Sequence, residues 1–155
     1  MNTNEGTGGG PLQAKAASGA NWFYWIAGLS VINSIVAATG STWGFMAGLG
    51  ATQVIDAIGQ EVGAWSKPVT LVLDGLVASA FVALGWWALR RTWVYLAGMI
   101  LYALDSVVFA LAGDWVGLAF HGLILYFLWS GFAARRALDH APAAAVTEET
   151  TDRAA

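Results

Sequence analysis

The chain has 155 residues, of which 57% are hydrophobic and 11% are charged, with a mean hydropathy of +0.60 and a net charge of −3. Soluble domains typically carry about 25% charged residues, so this composition argues against a soluble domain and indicates an integral membrane protein. The sequence has no cysteine and no haem or nucleotide motif, which excludes disulfides and Fe–S clusters. No basic patch could follow a phosphate backbone, so nucleic-acid binding is not expected.

Four apolar stretches lie between two polar ends. Residues 1–20 are small, polar and glycine-rich and predict a disordered arm. A membrane domain is predicted over residues 21–137, and residues 138–155 predict a disordered acidic tail. Each apolar stretch has close to the roughly 20 residues that a helix needs to cross a bilayer. The sequence therefore predicts an all-α, four-helix transmembrane bundle with spans at about 22–40, 68–89, 93–113 and 115–133.

Residues 43–63 predict an amphipathic helix between the first two spans. One face carries Gln53, Asp56 and Gln60, and the opposite face is aliphatic. One interpretation is an interfacial helix that lies flat over the bundle on the outer side. The other is a re-entrant segment or lid that brings Gln53 and Asp56 to the entrance of a site below.

Basic residues predict the orientation of the chain. With four crossings, only Lys67 falls on one side, and the other side receives Lys15, Arg90, Arg91, Arg135 and Arg136. The positive-inside rule makes that second side cytoplasmic, with both termini in the cytoplasm and the protein in the plasma (inner) membrane. An alternative interpretation takes the first span as a secretory signal that is cleaved after residues 36–38, which would leave three spans.

Each predicted span contains one strongly polar residue. Counting about 1.5 Å per residue, all four lie about 9–12 Å from the outer end of their spans. Charged groups at membrane depth are costly and usually functional, so the shared level predicts one cluster in the outer leaflet. The four residues are Asn33, Asp74, Asp105 and His121. Hydroxyl groups on the same helix faces are expected to support them, from Ser30, Ser34, Thr70 and Tyr102.

Three functions fit this cluster. It could bind or pass an ion, proton or small solute, with Asp74 and Asp105 carrying charge, His121 carrying a proton and Asn33 orienting them. It could be a hydrogen-bond network in a non-catalytic bundle that forms a homo-oligomer or joins a larger membrane complex. It could also hold a divalent metal on Asp74, Asp105 and His121, as in a membrane-embedded hydrolase. The sequence favours the first function and leaves the ligand, and any enzymatic activity, open.

Several segments have a familiar pattern: WIAGLSVINS, GLGATQVIDAIG, GMILYALD and GDWVGLAFHGLILYFL. Over about residues 22–133 the chain resembles small uncharacterised multi-pass bacterial membrane proteins. The resemblance implies a membrane location and no particular activity.

Overall fold

The computed structural model describes residues 9–39, 49–62 and 66–140. These residues form five α-helices and no strand, as expected for the all-α class. The predicted disordered residues 1–8 and 141–155 lie outside these ranges. The helices are α1 (Gly9–Ala38), α2 (Gly50–Val62), α3 (Ser66–Ala88), α4 (Thr92–Ala112) and α5 (Trp115–His140).

Three helical segments are long and apolar enough to cross a membrane: Pro68–Ala88, Thr92–Ala112 and Trp115–His140. Only 28%, 39% and 28% of their apolar stretches are buried within the protein, so most of their large apolar side chains face outward. Outward-facing apolar surface of this extent is compatible with lipid as the solvent. Within the described ranges, α1 is not among these segments, and Ser30, Asn33 and Ser34 interrupt its apolar half.

The first helix begins well before the predicted span. Residues 9–20 are helical, which corrects the predicted disordered arm over this part of the chain. Ala16 and Gly19 are buried, and a Cβ added to Gly19 would lie 2.4 Å from the Cα of Gly131 in α5. Small residues allow this approach of two backbones, which stabilises helix pairs in membranes. The sequence predicted disorder here because residues 1–20 are small, polar and glycine-rich, a composition that is typical of disordered segments. At the other end of the chain, α5 passes the predicted end of the last span and continues to His140, so residues 138–140 are helical rather than part of the predicted disordered tail.

The core forms around α1, which packs mainly against α3 and α5. The Phe23 ring of α1 is fully buried, with ring centroids 6.4 Å from Phe81 and 5.9 Å from Tyr95. Gly98 makes room for this ring, because a Cβ at Gly98 would lie 2.3 Å from the Cε1 atom of Phe23. Close packing of this kind holds the helices in register, since lipid gives apolar side chains little reason to prefer each other.

The two ends of the bundle differ in charge. Arg135 near the end of α5 donates to the carbonyl oxygen of Arg90 in the α3–α4 turn at 3.3 Å. The Tyr95 hydroxyl at the start of α4 donates to the carbonyl oxygen of Ala16 in α1. These contacts bring together the residues that we call the basic end: Lys15, Arg90, Arg91, Arg135 and Arg136. At the opposite end, Asp114 caps α5 by accepting the Gly117 N–H at 2.9 Å.

Candidate functional site

Asp105 in α4 binds the start of α2. Its Oδ2 accepts the Gly50 N–H at 2.7 Å, and its Oδ1 accepts the Ala51 N–H at 2.8 Å. These are the first amides of α2, which have no partner within their own helix. The positive end of the helix dipole also favours a negative charge there. The Asp105 side chain is 5% exposed, so its charge is satisfied by these donors rather than by bulk water.

His121 in α5 is the second member of the site. Its side chain is fully buried, with Nδ1 2.8 Å from the Gly117 carbonyl oxygen and Nε2 3.2 Å from Asp105 Oδ2. A carbonyl oxygen can only accept, so the Nδ1 contact is a hydrogen bond when Nδ1 carries a proton. A neutral imidazole would then present a bare Nε2 to a carboxylate oxygen. The Nε2–Oδ2 hydrogen bond therefore needs one further proton between the two residues.

Two aromatic rings enclose the His121 imidazole. Tyr102 stacks on it with a centroid separation of 4.4 Å and an interplanar angle of 14°, and Phe109 lies at 4.4 Å and 43°. The faces of aromatic rings attract a cation, so this enclosure suits a protonated imidazole. Tyr102 was predicted to support Asp105 through its hydroxyl. It contributes its ring instead, and among the described residues its hydroxyl has no hydrogen-bond partner.

Two glycines allow close packing around the site, and neither was predicted from the sequence as a site residue. A Cβ at Gly50 would lie 2.9 Å from Phe109 Cε2, and a Cβ at Gly117 would lie 2.4 Å from Phe109 Cδ1. Glycine at these positions lets the backbone of α2 reach Asp105 and the backbone of α5 reach Phe109. Gly50 could have been predicted from its position at the start of an amphipathic helix. The first N–H groups of a helix have no partner within it and can donate to an acidic side chain.

Ser30 of α1 also holds the start of α2. Its Oγ accepts the Leu49 N–H at 2.9 Å and donates to the Ile26 carbonyl oxygen at 2.8 Å. Ser34 donates to the Ser30 carbonyl oxygen at 3.1 Å. These two of the four predicted supporting hydroxyls are therefore buried and bonded, and Ser30, predicted to support Asn33, bonds the backbone just ahead of α2. Residues 49–51 thus contact α1 through Ser30 and α4 through Asp105, and His121 of α5 joins them through its contact with Asp105.

The other predicted site residues differ in burial. Asn33, Thr70 and Asp74 are buried, and each has an interaction partner. The Gln53 side chain is exposed, so α2 reaches the site through its first backbone amides. The Asp56 side chain lies outside the described part of the structure.

The structure does not gather the predicted metal ligands. In the described residues, no three histidine, cysteine, aspartate or glutamate side chains are grouped so that they could hold a metal ion. Asp74, Asp105 and His121 are all described, so Asp74 does not join the other two in a three-ligand group. Of the four residues predicted to converge, the structure shows direct contact between Asp105 and His121.

Comparisons with protein-family models, with curated proteins and with solved structures find no match for this chain. Fold and site together define an all-helical protein with three apolar helices of membrane-spanning length. Its distinguishing feature is a buried aspartate–histidine pair whose aspartate caps the amphipathic helix α2.

Proposed function

We propose that this chain is a multi-pass integral membrane protein whose Asp105–His121 pair binds one proton and thereby holds α2 on the bundle. One observation carries the proposal. The same oxygen atom, Asp105 Oδ2, accepts the Gly50 N–H of α2 and contacts Nε2 of His121. Proton binding and α2 docking thus act on one atom.

In the proposed topology α1 also crosses the membrane, which gives four spans together with α3, α4 and α5. α1 packs along α3 and α5, from Ala16 at the basic end to Ser30 beside α2. The basic end faces the cytoplasm by the positive-inside rule, so both termini are cytoplasmic and α2 lies at the outer face of the plasma membrane. Val54 and Ile58 of α2 are 42% and 60% exposed, which suits a helix whose apolar face rests on lipid.

The number of hydrogen-bond donors and acceptors around the Asp105–His121 pair supports a bound proton. Two amide donors and the start of α2 stabilise Asp105 as a carboxylate, so the shared proton belongs to His121 and the pair is an internal ion pair. When that proton leaves, the neutral imidazole has one N–H for two acceptors, the Gly117 carbonyl oxygen and Asp105 Oδ2. If the proton stays on Nδ1, the Nε2 lone pair repels Oδ2, and movement of Oδ2 away from His121 disturbs its bond to Gly50. Among the described residues, Asp74 is a further buried acid, in α3.

Cysteine labelling along α2 tests the coupling. Thr52 is fully buried and its neighbour Gln53 is exposed, so Thr52→Cys reports undocking and Gln53→Cys corrects for the pH dependence of thiol reactivity. We expect the ratio of the two maleimide labelling rates to rise with pH as the pair loses its proton. A His121→Gln background should keep the ratio low, because its amide donates to Asp105 without a titrating proton.

Nitrogen-15 NMR of His121 tests proton binding directly. We expect both ring nitrogens to carry a proton while α2 is docked, because each lies at hydrogen-bond distance from an oxygen acceptor. A neutral His121 beside an ionised Asp105 at every pH where the protein is folded would overturn the proposal, as would a labelling ratio that does not change with pH.

A second candidate is a non-catalytic bundle that partners a larger membrane complex. It is favoured by the use of both Asp105 oxygens as acceptors for α2, which is a structural cap. In that case the pair only stabilises the fold. The two outcomes that would overturn the proton-binding proposal would then support this candidate. The third hypothesis, a metal-dependent hydrolase, has no group of three possible metal ligands among the described residues.

A further inference from the structure

A cleft lies at the basic end, where α3 turns into α4. Its volume is about 510 Å³, and its lining is Trp86, Trp87, Arg90, Arg91, Trp93 and Val94. The three indoles and both arginines are exposed. The lining therefore combines a broad aromatic surface with two positive charges and contains no acid.

The arginines of the cleft are held in place without being neutralised. The N–H groups of Arg90 and Arg91 both donate to the Trp87 carbonyl oxygen, at 2.8 and 2.9 Å, which fixes the turn. The Arg90 guanidinium lies 3.9 Å from the centroid of the Trp86 ring, so it stacks on the indole and keeps its N–H edge free to donate. Among the described residues, the acid near this turn, Asp139, pairs with Arg135 at 3.1 Å.

The cleft also lies at a membrane boundary. Two apolar helices of spanning length end and begin there, at Ala88 and Thr92. Tryptophan concentrates at the headgroup level of bilayers, and basic pockets between transmembrane helices on the cytoplasmic side bind anionic headgroups. A volume of about 510 Å³ exceeds the needs of a bare phosphate ion and fits the ordinary range of ligand pockets.

We propose that this cleft binds one anionic phospholipid of the surrounding leaflet. Arg90 and Arg91 donate to its phosphate, and the indoles of Trp86, Trp87 and Trp93 pack against its glycerol and upper acyl chains. The occupant is a lipid rather than a soluble phosphate compound, because only a lipid offers apolar groups to three tryptophans at this depth. The inference requires that α3 and α4 cross the membrane, and it is independent of the Asp105–His121 proton.

Native mass spectrometry of the full chain tests this site. The protein is released from micelles that contain phosphatidylglycerol and phosphatidylcholine with identical acyl chains. We expect one phosphatidylglycerol to be retained preferentially, by roughly tenfold for two arginines near a phosphate. The Arg90→Gln/Arg91→Gln variant should lose the preference. The Lys15→Gln/Arg136→Gln variant removes the same charge from exposed residues of the basic end outside the cleft and should keep it.

Three outcomes would overturn the lipid site. They are equal retention of the two lipids by the wild type, equal loss in both double variants, and displacement of phosphatidylglycerol by millimolar inorganic phosphate. If the glutamine variant fails to fold, Arg90→Lys/Arg91→Lys keeps the charge and should retain a weaker preference, because lysine cannot form the bidentate contact. Loss of all preference in that folded lysine variant would also contradict the proposal. Since α2 and His121 take no part, a negative result here leaves the proton-binding test unaffected.

Discussion

At the scale of single residues, Asp105 shows why an acid is buried in an apolar helix where an amide would cost less to bury. It must accept two N–H groups from α2 and contact His121 as well. A carboxylate has two accepting oxygens, whereas an asparagine side chain has one oxygen and an NH₂ group that only donates. The choice of residue therefore follows from the donors around it.

Asp105→Asn should lower the free energy of unfolding by about 1–3 kcal/mol, because one buried backbone N–H of α2 loses its acceptor. Asp114→Asn is the matched control. Asp114 accepts a single N–H as the cap of α5, and asparagine is as good a cap as aspartate. Thermal unfolding in detergent should separate the two variants clearly. Equal melting temperatures would show that Asp105 does not hold α2.

At the scale of helices, α1 joins the bundle through small residues in its first half and polar residues in its second. The contact of Gly19 with Gly131 brings two backbones together near the basic end. Ser30 then ties the other end of the helix to Leu49 ahead of α2. α1 therefore contributes to the bundle and to the site, although its apolar run is the weakest of the four predicted spans.

Gly19→Ala should weaken the α1–α5 contact, since its Cβ would lie 2.4 Å from the Gly131 backbone. Overpacking of this kind costs roughly 1–3 kcal/mol. Gly28→Ala is the control in the same helix. Its Cβ meets nothing within 4 Å, so the higher helix propensity of alanine should leave stability unchanged or raise it. Thermal midpoints measured side by side decide the matter, and similar values for the two variants would contradict the packing of α1 on α5.

At the scale of the whole molecule, the sequence predicted the helical class and three of the apolar helices well, because long apolar runs are strong local signals. From their depth it also predicted that Asp105 and His121 come together, and the structure shows these two side chains in contact. It could not predict that backbone amides of α2 would complete the site, since those groups occur in every residue and only tertiary packing selects them. It missed the helical start of α1 because a segment rich in alanine and glycine resembles a flexible arm. The contact of Gly19 with Gly131, which packs this segment on α5, is not visible in the sequence.

The topology of the whole chain remains a prediction, and the absence of cysteine makes it testable with single-cysteine variants. Gly10 and Thr39 lie at opposite ends of α1, and Ala112 and Ala137 lie near opposite ends of the α4–α5 pair, all four being exposed. In intact cells an impermeant maleimide should label Thr39→Cys and Ala112→Cys, whereas Gly10→Cys and Ala137→Cys should react only in inverted vesicles. The reason is that the basic end resists translocation and stays in the cytoplasm. If α1 does not cross the membrane, Gly10 lies on the same side as Thr39 and is labelled with it in intact cells. That result would reduce the bundle to three spans and place the start of α1 outside the cell.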